Sequence, residues 1–293
     1  MSTQLVTIGG SRIAAANGIG PKSAITLAAE MLNLPGFEPV ETEAMRLGKV
    51  FERHVADYAV EQGYDFLPAP DVTLHMPSAK WAVGRLDGYT TVDEYAWVGE
   101  VKVTNGYGWP KDGVPDNYQA QGQWYCMLTE LPGTRFFCLI GGTRFAVYDY
   151  PRNDKIIGQL FKGGDAFRRL VKRGKLPEPD GSDDAHATIR KLHPDSNAGE
   201  AVRATGELAK DLERARALHY SRDETKRQYA EVCQRIQLAM GTAEILVDKY
   251  DQVAATFKHN VSNRFNRAAF DNDHPGMYAE YTEPKGERRF LLK

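Results

Sequence analysis

Three residues in this sequence have the types and spacing to act on a phosphate: Asp87, Glu100 and Lys102. Asp87 lies in the run Gly84-Arg85-Leu86-Asp87-Gly88, and the other two lie in Gly99-Glu100-Val101-Lys102. Residues two apart on a β-strand share a face, so Glu100 and Lys102 project together while Val101 points the other way. If the strand ending near Asp87 pairs with the strand that carries Glu100, all three side chains reach one mouth. Two carboxylates and an ammonium make a poor core, because burying unneutralised charge costs on the order of several kcal/mol. A divalent cation would neutralise the carboxylates, and hard oxygen ligands with few histidines point to magnesium or manganese. The chemistry such a set serves is phosphodiester hydrolysis. The metal polarises the phosphate and acidifies a bound water, while the lysine orients or activates that water and stabilises developing charge. An edge strand of alternating charge fits the same short pattern equally well.

Three further features bear on that choice. Glu52 sits in Gly48-Lys49-Val50-Phe51-Glu52, inside a helical pattern and beside apolar neighbours. Tyr118 and Gln121 are three apart on another helical run and so share a face, whereas Gln123 lies on a different face, nearer Gln119. Ser11 and Arg12 follow Gly9-Gly10 and open a small-residue helix, a setting suited to gripping a phosphate or to an ordinary N-cap.

The elements that must position these residues follow from periodicity. Helices are predicted over 23–34 and 41–61, where apolar residues recur every three or four positions. From 66 to 139 the pattern changes to short β-prone runs at 72–75, 81–86, 95–103 and 136–140, separated by Gly, Pro, Asp and Asn. A helix over 116–128 lies between the last two. The turn Gly141-Gly142-Thr143 predicts a hairpin with a strand at 144–150, and a helix over 156–172 follows. The run LPEPDGSDD at 176–184 is the expected domain boundary. The segment 198–240 reads as a charged helical hairpin with Ser221 and Asp223 as caps near its break. The run 243–258 reads as a β-hairpin. The expected units are therefore 1–180, an arm at 181–242 and a small unit at 243–293.

Composition narrows the class. The chain has 293 residues, 42% of them hydrophobic, enough for one good core with an appendage. Its formal net charge of -2 means that any nucleic-acid surface must be a local concentration of cations. Two such groups stand out: Lys162, Arg168, Arg169, Lys172, Arg173 and Lys175, and then Arg264, Arg267, Arg288 and Arg289. Cys126, Cys138 and Cys233 are odd in number and widely spaced, which argues against a disulfide framework, a zinc knuckle or a four-cysteine iron–sulfur cluster. The start of the chain lacks a secretory pattern, and no run approaches the ~18 apolar residues of a membrane span. A soluble, cytoplasmic protein is expected.

Taken in order, GGSRIAA at 9–15, GKVFE at 48–52, RLDG at 85–88, EVK at 100–102 and the Tyr-x-x-Gln of Tyr118 and Gln121 resemble the phage lambda exonuclease family, the YqaJ-like viral recombinases of the PD-(D/E)XK nuclease superfamily. The match in order and rough spacing covers residues 9–175. The resemblance implies an α/β (α+β) restriction-endonuclease-like core, a central mixed sheet flanked by helices, followed here by a mostly helical C-terminal extension. It implies a nuclease domain over 1–180, with Mg²⁺ or Mn²⁺ held by Asp87, Glu100 and the backbone carbonyl of Val101. Lys102 would be the catalytic lysine and Glu52 a helix-borne acid serving a second metal or acting through water. Tyr118 and Gln121 would line the site, and Ser11 and Arg12 would meet the 5′-phosphate. The chain departs from the family at Leu86, where a proline or small residue is usual, and at Val103-Thr104, where Cys-Pro is common. It also lacks the acid that some members carry about ten residues before Asp87, which favours one metal over two. The implied activity is 5′ to 3′ exonuclease action on linear double-stranded DNA ends, leaving single strands for recombination. A ring-shaped homo-oligomer, a single-strand annealing partner and a phage or prophage setting come with it. Alternatives are another endonuclease of the superfamily, RecB-like or restriction-type, and a non-catalytic DNA-binding protein on the same fold.

Overall fold

A computed structural model describes residues 5–38, 40–283, 286 and 290–292. Arg288 and Arg289 of the second basic cluster lie outside the described residues. The chain divides into two units, Met1–His193 and Pro194–Lys293.

In the first unit, alternating apolar residues build a five-stranded sheet from β1 (Leu67–Pro68), β4 (Gly88–Val92), β5 (Tyr95–Thr104), β6 (Gly133–Ile140) and β7 (Arg144–Pro151), in the order β1-β4-β5-β6-β7. Only β5 and β6 pair in parallel; the other neighbours are antiparallel, so the sheet is mixed. The parallel pair needs a crossover, which α4 (Asp116–Thr129) supplies. The hairpin expected at Gly141-Gly142-Thr143 joins β6 to β7. A separate ribbon pairs β2 (Leu74–Met76) with β3 (Ala79–Gly84), and Ile8 lies alongside β3, bonded to Trp81 and Val83.

Helices cover both faces, as expected. On β6, Phe136 and Cys138 face one way and Phe137 the other, and each set belongs to a different core cluster. Phe137 packs with Val55, Ala56 and Ala59 of α3 (Glu43–Glu61) and with Val101. The larger core lies on the α4 side, where Trp124 packs with Trp81 and with Ile13, Leu27, Leu160 and Phe167. Those last residues come from α1 (Gly10–Ala16), α2 (Ala24–Met31) and α5 (Asp154–Lys172). Side chains cap these helices where type predicts it: Ser23, Thr42 and Asn153 accept from the first-turn N–H groups of α2, α3 and α5.

Two sequence expectations change here. The strand read at 81–86 pairs with β2, not with the strand carrying Glu100; the partner of β5 is the unread β4, in register Gly88↔Gly99. The Pro/Asp/Gly/Ser cluster at 176–184 does not end the first unit, because α6 (Asp183–Leu192) folds back onto α2. Asp184 accepts from Ser23 and Thr26, while Ala185 and Thr188 are buried.

In the second unit, the expected helical hairpin is one helix, α7 (Glu207–Met240), of 34 residues. Ser221 and Asp223 lie inside it, where Thr225 bonds back to the Ser221 carbonyl and Asp223 pairs with His219 and Arg222. The expected β-hairpin forms as β8 (Ile245–Val247) with β9 (Val253–Thr256), followed by α8 (Arg267–Asp273) and α9 (Met277–Glu280). Among the described residues no helix is long and apolar enough to cross a membrane.

Candidate active site

The β4–β5 ladder stops at Gly88 and Gly99, under the ring of Phe66, which lies so close that a side chain at either glycine would strike it. Beyond that point, among the described residues, no strand pairs with β5 on this edge. The chain before Gly88 fills the gap with a side chain: Asp87 Oδ2 accepts the Val101 N–H at 2.9 Å. A residue's N–H and C=O point to the same edge of a strand, so the Val101 carbonyl faces the Asp87 side as well.

Strand alternation places the rest. Val101 points into the α3 core, while Glu100 and Lys102 point towards α4, as their spacing predicts. Glu100 is only 1% exposed. Its Oε1 receives Lys102 Nζ at 2.6 Å and Gln121 Nε2 at 2.7 Å, whereas its Oε2 is buried with no hydrogen-bond partner among the described residues. Lys102 lies 4.9 Å from the centre of the Tyr118 ring, and Trp109 packs against the other partner of that contact at 5.7 Å. Glu52 arrives from α3 close to Asp87. The structure therefore brings together Glu52, Asp87, Glu100, Lys102, Tyr118 and Gln121, drawn from four separate segments.

Sequence reasoning missed Tyr125. It lies four residues after Gln121 on α4, hence on the same face, and its hydroxyl accepts a second N–H from Gln121 at 3.0 Å. That spacing was the available signal. Gln123 faces elsewhere and is structural: it donates to the Pro151 carbonyl and accepts the Asn153 N–H. Ser11 and Arg12 are exposed on the first turn of α1. Gly10, beside them, abuts Tyr125 so tightly that any side chain there would collide with its ring. This turn is thus linked to Glu100 through Tyr125 and Gln121.

The charges explain one another. Burial, then the charge of Asp87, pushes the Glu100 carboxyl up to about 8. Burial opposes the Lys102 ammonium, but the carboxylates of Glu100 and Asp87 outweigh it, and its pKa ends above the ordinary value. Glu52 is raised by burial, by the Asp87 charge and by a hydrogen bond to Asp87. Burial, reinforced by Glu100, also keeps the Tyr125 hydroxyl protonated. The Cys138 thiol, pushed up to about 12 by burial, is inert.

These groups fit a hard divalent cation. Two carboxylates and a backbone carbonyl form an all-oxygen set, and a buried Glu100 oxygen without a partner is what a cation would satisfy. Among the described residues no three His, Cys, Asp or Glu side chains form a complete cage. Water and substrate oxygens would have to complete the shell, as Mg²⁺ commonly requires.

Of the basic cluster on α5, Arg168 and Arg169 both pair with Asp165, while Lys162, Lys172, Arg173 and Lys175 are exposed. Arg267 pairs with Asp271 and stacks on Tyr278.

No protein-family model matches the chain. It is 25% identical over 261 residues to the uncharacterized protein YqaJ of Bacillus subtilis strain 168, which covers 86% of this chain and 80% of that protein. That similarity bears out the resemblance to YqaJ-like proteins read from the motifs. Among solved structures the chain is similar to an alkaline exonuclease, LHK-Exo, from Laribacter hongkongensis, with a TM-score of 0.45 and 19% identity over 66% of this chain and 96% of that one. A phage-related exonuclease from Haemophilus somnus 129PT gives a TM-score of 0.46 and 13% identity over 58% of this chain and 95% of that one.

Proposed function

We propose that this chain is a divalent-metal-dependent DNA nuclease with a PD-(D/E)XK-type site, acting as an exonuclease on linear double-stranded DNA. One observation carries the nuclease reading. Glu100 is buried with one oxygen held by Lys102 and Gln121 and the other without a partner, beside Asp87 at the open edge of β5. A merely structural edge strand has no reason to bury a carboxylate in that state. The 5′ to 3′ direction, the single strands left for phage-type recombination, a ring-shaped homo-oligomer, an annealing partner and a cytoplasmic setting rest on the motif resemblance.

Asp87, Glu100 and the Val101 carbonyl would hold Mg²⁺ or Mn²⁺, with Glu52 close enough to bind through water. When bound, the ion would polarise the scissile phosphate and acidify a water. The chain's own residues do the positioning. Gln121, steadied by Tyr125, fixes the Glu100 carboxylate from behind. Lys102, kept protonated by its carboxylate neighbours, offers N–H donors to the attacking water and to charge developing on the phosphate. Tyr118 offers its ring to the ammonium, 4.9 Å from the ring centre. Ser11 and Arg12 on the first turn of α1 are the proposed contacts to the 5′-phosphate.

The test incubates purified protein with linear and closed circular duplexes in Mg²⁺, Mn²⁺ or EDTA, beside Lys102→Ala. Resection of linear DNA alone, abolished by EDTA and reduced about 100-fold or more in the variant, is expected. Nicking of the circle would move the reading to an endonuclease. Inactivity with every divalent ion would leave a DNA-binding protein on this fold.

A further inference from the structure

Beside Asp87 the site opens into a cleft of about 680 Å³ between α3 and the loop from β3 to β4, a volume in the range of small-ligand sites. Its floor includes Ala56, Phe66 and Leu86, and four carboxylates line it: Glu52, Asp57, Asp71 and Asp87. Such a cleft would repel a polyanion unless cations faced it. Three do: Lys49 and Arg53 from α3, and Arg85 from the opposite wall. Lys49 pairs with Glu41 at 2.5 Å. Arg53 and Asp57 lie 3.9 Å apart and Arg85 and Asp71 3.4 Å apart, with all four side chains largely exposed. Pairs this long and exposed are worth about 0–1 kcal/mol and are easily exchanged for a better partner.

We propose that Arg53 and Arg85 form a two-armed clamp on the phosphodiester backbone of a DNA strand led through this cleft to Asp87, with Asp57 and Asp71 parking the arms when no strand is present. The proposal rests on the nuclease reading of the adjoining carboxylates. Each arm is built onto a site residue: Arg53 follows Glu52 on α3, and Arg85 precedes Asp87 by two. Leu86, 6% exposed, anchors the loop between Arg85 and Asp87, so the loop cannot carry one away from the other. A guanidinium offers a planar fork of N–H donors that matches two phosphate oxygens, which neither parking carboxylate receives at these distances. Approach from opposite walls would hold a strand from both sides.

Fluorescence anisotropy with labelled oligothymidine, in EDTA and over a salt series, tests the clamp without any turnover. Arg53→Gln and Arg85→Gln should each weaken binding several-fold and reduce the slope of log K against log salt by about 0.7. Arg85→Lys should restore most of the slope. Asp71→Asn should tighten binding, and that gain should vanish in the Asp71→Asn/Arg85→Gln double variant. A gain that persists in the double variant reports only general charge and overturns the clamp, as do unchanged slopes in the arginine variants. Both arginine side chains are exposed, so the core is untouched. Cleavage by the wild type, scored separately, keeps the two readings apart. A protein that shows the binding cycle but never cuts retains the clamp and loses the nuclease, and one that cuts without the cycle retains the nuclease and loses the clamp.

Discussion

Glu100 concentrates the electrostatic tension of the first unit. Its carboxyl is raised from an ordinary value of 4.5 to about 8, by burial first and Asp87 second. Between those two values the unfolded chain has released a proton that the folded chain still holds, so this group lowers stability as pH rises through the window. The limit is about 1.4 kcal/mol for each pH unit, shared with the coupled Lys102 and Glu52. Glu100→Gln keeps an oxygen for Lys102 and Gln121 and removes the titration. In EDTA, the wild-type melting temperature should fall more steeply than that of Glu100→Gln between pH about 4.5 and about 8. Mg²⁺ at the alkaline end should recover the wild type and leave the variant unchanged, since the ion binds only the ionised form. Equal pH slopes for the two proteins would remove Glu100 from the centre of the site.

Helix α4 lays Tyr118, Gln121 and Tyr125 along one face, and its distance from β6 decides where that face falls. Gly122 sets the distance: a Cβ there would come 2.9 Å from Phe136 and 3.1 Å from Thr134. In an exposed helix, Gly→Ala gains about 1 kcal/mol. Here the sign should invert, with Gly122→Ala losing about 1–3 kcal/mol in urea denaturation and lowering cleavage as Gln121 shifts from Glu100. A stabilised variant would show that the gap has slack. The same helix marks how far the elements can be read from residues alone. Tyr118 and Gln121 were legible because i,i+3 spacing is visible in the sequence, and strand alternation correctly turned Val101 away from Glu100 and Lys102. Strand β4 was not legible because its buried positions are Gly88 and Thr90, with no apolar alternation to announce it. The continuity of α7 was hidden as well. Ser221 and Asp223 are cap formers by type, yet pairs such as Arg227 with Glu224 and Glu231, and Arg235 with Glu231, accompany an exposed helix that runs through the expected break.

The extent of the first unit depends on one carboxylate that composition could not reveal. The cluster at 176–184 has every mark of a linker, but Asp184 at its end accepts hydrogen bonds from the Ser23 N–H at 2.8 Å, the Ser23 hydroxyl at 2.9 Å and the Thr26 hydroxyl at 2.6 Å. Burial resists its charge, yet these donors prevail and hold its pKa below the ordinary value, so the anchor is complete at neutral pH and weakens only as acid protonates it. Thr188 adds a bond to Thr26, and Ala185 is fully covered. A chain ended after residue 193 keeps this dock, whereas one ended after 181 strips it from α2. The shorter chain should be less stable by about 3 kcal/mol or more, from the lost charged hydrogen bonds and the apolar surface opened on α2. Asp184→Ala in the full chain should cost about 1–3 kcal/mol of that. Urea midpoints for the three proteins decide the matter. Indistinguishable midpoints for the two truncations would mean that α6 is a passenger and that the first unit ends at the cluster. A large gap, with Asp184→Ala between, would mean that the scaffold aligning α1 and α4 behind Glu100 includes a helix that the sequence assigns to the arm beyond the boundary.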